Sequence, residues 1–148
     1  MDSPHTYAEW ADAFDELETH PESDPEILEA LQQGTLSWQS GVAERFISRL
    51  SQVLTARMDR AADDFQKSLR APGGGEASLV QALLRFRRQF QFFKKLGSLP
   101  VIPDETRQQL AAMVQGQADS VQHSLLDSAR QDRTGKLASL IRNNPVNR

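Results

Sequence analysis

Between Leu79 and Phe93 the apolar side chains recur at intervals of 4, 3, 4 and 3, as Leu79, Leu83, Phe86, Phe90 and Phe93. Each residue of an α-helix turns by about 100°, so these intervals line the five side chains along one narrow seam. On a strand the same residues would scatter over both faces. A seam of leucine and phenylalanine needs cover, and an isolated helix has none to offer. The chain therefore has to supply other helices with apolar faces of their own.

It does so on both sides of the seam. Thr6-Tyr7-Ala8-Glu9 fits a capping box, and Tyr7, Trp10, Phe14 and Leu17 follow on one face, so a first helix is expected to end near Thr19. Asp24-Pro25 supplies an N-cap and a first-turn proline for a short second helix carrying Ile27, Leu28 and Leu31, with Gly34 as its stop. A long third helix is expected from Ser37–Ser40 to about Arg70, through Val42, Phe46, Leu50, Val53, Leu54, Met58, Ala61, Ala62, Phe65 and Leu69. Ala71-Pro72-Gly73-Gly74-Gly75 ends it in a reversal. The seam helix runs from about Glu76 to Leu96. Pro103 opens a fifth, with Asp104 and Glu105 at its positive end and Leu110, Met113, Val114, Val121 and Leu125 as its buried face. A last short helix holds Leu137, Leu140 and Ile141.

The expected fold is all-α: an antiparallel bundle of three long helices, two short N-terminal helices packed on it, and a short C-terminal helix. It is read as a single domain over residues 1–148, with an arm (1–36), a three-helix body (37–131) and a C-terminal segment (132–148). The seam helix would span roughly 32 Å against roughly 45 Å for its long neighbours. That mismatch leaves apolar surface for the arm to cover.

Charge is divided along the same line. Residues 1–44 contain 11 acidic side chains and no Lys or Arg, whereas residues 45–148 contain 17 basic and 9 acidic ones, giving a net charge of −3 for the whole. An acidic arm beside a basic body implies internal complementarity or two unlike partners.

Cysteine is absent, so there is no disulfide frame, thiolate metal site or cysteine nucleophile. No apolar run approaches the roughly 20 residues of a membrane span, and Met-Asp-Ser-Pro-His does not open a secretory leader. A cytoplasmic protein is expected. Arginine outnumbers lysine 13 to 4, as in GC-rich and often bacterial coding.

The richest chemistry lies on the seam helix. From Leu84 to Lys95, five basic residues interleave with four phenylalanines. Phe86, Phe90 and Phe93 belong to the seam, but Phe92 falls roughly opposite, with Arg85, Arg88 and Lys95. This second stripe could grip an acidic helix of another protein, or stack on a base while its cations hold phosphates. The plainer alternative sets Phe92 beneath the N-terminal helices, its arginines paired with their carboxylates. A second basic group comprises Arg130, Arg133, Lys136, Arg142 and Arg148.

Other patterns read as structure. Asp119, His123 and Asp127 stand at i, i+4, i+8, without the facing ligands that a helical-bundle metal site needs, and read as a solvated polar face. Glu16 and His20 form another isolated pair. The glycine loop lacks the Lys-Ser/Thr of a phosphate loop, and no serine sits in a nucleophile elbow. No pattern calls for a cofactor. The sequence reads as a non-enzymatic protein that binds another protein or a second copy of itself, with nucleic acid as the alternative.

Overall fold

The computed structural model describes residues 1–70 and 75–148, the side chains of residues 69 and 70 excepted. The side chain of Leu69 and the reversal at residues 71–74 lie outside the described residues. Among the described residues there are six α-helices and no strand: α1 (Tyr7–Thr19), α2 (Asp24–Gln32), α3 (Val42–Arg70), α4 (Glu76–Leu96), α5 (Asp104–Ala129) and α6 (Lys136–Asn143). The all-α reading holds. One turn of 3₁₀-helix, Pro21–Ser23, joins α1 to α2. Packing divides the chain into two compact units, Met1–Arg57 with Lys95–Ala111, and Met58–Lys94 with Ala112–Arg148.

The first unit is built around Phe46. Trp10, Phe14 and Trp38 set their rings 5.1, 5.2 and 5.1 Å from it, all edge-on. Such edge-to-face pairs place the positive ring edge against a negative π-face and add about 0.5–1.5 kcal/mol each beyond burial. Both indoles also find acceptors, Trp10 Nε1 donating to Thr35 O (2.9 Å) and Trp38 Nε1 to Val101 O (2.8 Å). The capping box forms as expected: Glu9 N–H donates to Thr6 Oγ1 and Thr6 N–H to Glu9 Oε1, both at 3.2 Å.

The arm meets α3 through charge as well as rings. Arg49 donates to Asp15 and Glu18 at 2.7 and 2.6 Å. Arg57, only 5% exposed, forks onto both oxygens of Asp24 (3.0 and 2.6 Å) and onto Leu17 O (2.8 Å). Leu17 belongs to the last turn of α1, where carbonyls lack helical partners and a cation is favoured. One guanidinium thus joins the end of α1 to the start of α2.

Three sequence expectations change here. Asp24 is not an N-cap: Ser23 precedes the helix without a side-chain cap, and the Asp24 carboxylate goes to Arg57 instead. Gly34 is not a left-handed stop. Its φ is not positive, and a Cβ built on it would lie 2.5 Å from the Trp10 ring, so close packing is its reason. Helix α3 starts at Val42, after Gly41 at φ 87°, because Trp38 is drawn to Val101 and keeps the preceding residues out of the helix.

The second unit buries the seam. Leu83, Phe86, Phe90 and Phe93 are all buried, while Leu79 is half-buried, and Phe65 of α3 meets Phe86 edge-on at 5.7 Å. From α5 the buried residues are Val114, Ala118, Leu125 and Ala129; Met113 and Val121, expected inside, are half-buried. Asp132 organises the approach to α6, accepting from Thr134 N–H (3.1 Å) and Leu137 N–H (3.0 Å). Gly135, at φ 73°, supplies the left-handed residue that the turn into α6 needs.

Candidate partner-binding surface on the fourth helix

Helix α4 carries the stripe singled out from sequence. Arg85, Arg88 and Phe92 lie in the second unit and Lys95 in the first, at intervals of 3, 4 and 3 along the helix. The intervals of 3 and 4 place Arg85, Arg88 and Phe92 on one face. Arg85, Arg88 and Lys95 are exposed and Phe92 is half-buried. The Phe92 ring stands 5.8 Å from that of Phe93, a core residue only 2% exposed, which anchors it to the seam. Arg88 Nε points back to Leu84 O at 3.4 Å, a weak contact that leaves the rest of its guanidinium to solvent.

The other basic groups of α4 are engaged. Lys94 Nζ sits 4.9 Å above the Phe90 ring, and Arg87 Nε donates to Arg148 O at 2.9 Å. Asp15, Glu18 and Asp24 of the arm pair with Arg49 and Arg57 of α3. Among the described residues no ion pair reaches Arg85, Arg88 or Lys95.

The second basic group stays dispersed: Arg130 pairs with Asp127 at 3.4 Å, and Arg133, Lys136, Arg142 and Arg148 are exposed. His123 pairs with Asp127 (3.3 Å) and His20 with Glu16 (3.2 Å). Among the described residues no three His, Cys, Asp or Glu side chains are placed to hold a metal ion. None of the helices described is long and apolar enough to cross a membrane.

Sequence reasoning missed three features. Arg57 was legible in principle, because it follows Leu50, Val53 and Leu54 on the apolar face of α3, where a charge demands a partner. An apolar hollow of about 430 Å³ in the second unit has Phe86, Phe90 and Phe93 as its floor and Met58, Met113 and Val121 at its sides. It exists because α5 presents Ala112, Gly116 and Ser120 there, and small side chains leave space that larger ones would fill. The third feature is Asp119, read as solvated. It accepts from Asn147 Nδ2 (2.8 Å) and Gln115 Nε2 (2.9 Å), and these bonds hold its carboxyl below the usual aspartate range.

Compared with known protein families, with curated proteins and with solved structures, the chain matches none.

Proposed function

We propose that this protein acts without catalysis, as a cytoplasmic helical protein that binds another protein through Arg85, Arg88 and Phe92. The observation behind this reading is a half-buried aromatic ring on the same helix face as two exposed guanidiniums that no ion pair reaches among the described residues. Aromatic and arginine side chains contribute most where interfaces are energetically concentrated, because they bury large areas and offer fixed donor geometry. The complementary surface is an acidic amphipathic helix. Its carboxylates would meet the arginines and its apolar side chains would cover Phe92.

The test is a pull-down with the intact chain, comparing wild type with a Phe92→Ala, Arg88→Glu variant of unchanged helicity. The reading expects a discrete partner that the variant loses; identical partner sets would remove the stripe from consideration. A second reading rests on the same residues, since a ring beside two arginines can also stack a base and hold phosphates. Gel shift over a salt series separates the two. Phosphate binding weakens steeply with salt because counterions are released, and an absence of shift at low salt ends that reading. Self-association through the same stripe would appear as a concentration-dependent mass in sedimentation, absent in the variant.

A further inference from the structure

Residues 144–148 follow α6 without regular structure, turning at Val146 and Asn147. They are held by side chains of other elements. Val146 N–H donates to Gln122 Oε1 (3.1 Å), Gln115 Nε2 donates to Asn147 O (3.0 Å), and Arg87 Nε donates to Arg148 O (2.9 Å). Asn147 Nδ2 donates to Asp119 Oδ1 at 2.8 Å, and Gln115 steadies that carboxylate with a second bond of 2.9 Å. Gln115, Asp119 and Gln122 stand at i, i+4, i+7 on α5 and form one row on its surface. Val146, between these contacts, is fully buried.

The division of labour is specific. The two glutamines and Arg87 address main-chain atoms, which every peptide possesses. Side-chain identity enters at only two places, the space filled by Val146 and the amide of Asn147 against Asp119. General contacts to the main chain combined with pockets for chosen side chains are how peptide-recognition sites work. The receptor groups come from two helices, α4 and α5, whose own main chains need nothing from residues 144–148. Residues 145–148, by contrast, make no helical or strand bonds of their own, so their local opening breaks only bonds to side chains and the burial of Val146.

We infer that Gln115, Asp119, Gln122 and Arg87 form a peptide-binding site that residues 145–148 occupy in cis. A partner's short segment with a small β-branched residue followed by Asn can take their place. The site is separate from the α4 stripe and stands or falls independently of it.

The test uses the full chain carrying Val146→Asp, which expels the buried side chain while leaving the receptor row intact. The probe is a fluorescent peptide of residues 142–148, followed by anisotropy. The Val146→Asp chain should bind it at least tenfold more tightly than the wild-type chain, whose site is filled. Adding Gln122→Ala should cost at least tenfold again, and a peptide bearing Val146→Asp should not bind. Equal binding by wild type and variant, or indifference to Gln122→Ala, overturns the proposal. Should the variant not fold, hydrogen exchange on the wild-type chain decides. The Val146 amide should exchange at least a hundredfold faster than those of Val114 and Leu125, by local opening. Exchange at their rate would mean the segment leaves only on global unfolding, which also overturns the proposal.

Discussion

In the first unit, rings converge on Phe46, and the arm is fastened by guanidiniums that reach carboxylates and a helix-end carbonyl. In the second, the core is a leucine and phenylalanine seam, and the last residues are fastened by side-chain amides. The first unit contains the buried charge, Arg57, and the tightly fitted glycine, Gly34. The second contains the apolar hollow of about 430 Å³ and Gly116, where an added Cβ would meet nothing within 4 Å. In the first region a buried guanidinium and a tightly packed glycine tie elements together; in the second, small residues leave an apolar hollow and side-chain amides hold the last residues. Both candidate binding features, Arg85, Arg88 and Phe92 of α4 and the whole peptide row, belong to the second unit.

The largest effect should come from the buried pair. Removing Arg57 strands the Asp24 carboxylate in a poorly hydrated place, so Arg57→Ala is expected to cost about 3–5 kcal/mol in urea unfolding. Asp24→Leu combined with Arg57→Met should recover most of that loss, because the pair's desolvation cost disappears with it. If the single variant costs under about 1 kcal/mol, a typical value for an exposed pair, Arg57 and Asp24 do not form a buried pair in the first unit.

The two glycines sharpen the contrast with opposite signs. Gly34→Ala drives a methyl group into the Trp10 ring and should destabilise by about 1–3 kcal/mol. Gly116→Ala meets nothing within 4 Å and replaces the poorest helix former short of proline, so it should stabilise by about 0.5–1 kcal/mol. Melting temperatures moving in the same direction for both would erase the distinction.

The smallest effect is local and appears in acid. Hydrogen bonds from Leu137 N–H and from the Thr134 hydroxyl and amide hold the Asp132 carboxyl below the usual range, and Asn147 and Gln115 do the same for Asp119. Because these folded-state values are lowered, the stabilisation is complete above the unfolded aspartate value of about 3.9 and fades as pH falls through the folded ones. Amide and side-chain resonances of Leu137 and Asn147 should therefore shift below about pH 4, ahead of those of Val114. Resonances that stay fixed until global unfolding would show that neither carboxylate matters to the segment it holds.

Much of the architecture was legible because it is local. A capping box, a 4-3-4-3 seam and a proline at a helix start each declare themselves within a few residues, and α1, α4 and α5 lie where those signals put them. What escaped depends on partners far away in the sequence. Asp24 has the residue type of an N-cap, but a buried guanidinium 33 positions away competes for it and wins. Gly34 has the position of a helix stop, but an indole sets its role. Asp119 shows its neighbours at i±4 openly, whereas its contact with Asn147 spans 28 positions and follows no periodicity. The α4 stripe was legible because both of its defining properties, helical phase and residue type, are local.

Both tryptophans and the single tyrosine, Trp10, Trp38 and Tyr7, lie in the first unit. Intrinsic emission therefore watches one region and is blind to the other, while circular dichroism at 222 nm sums the helices of both. Denaturation followed by the two signals in one cuvette would tell whether the regions melt as a single cooperative body. A gap between the curves would be the unfolding of the darker region, measured without a label or a mutation.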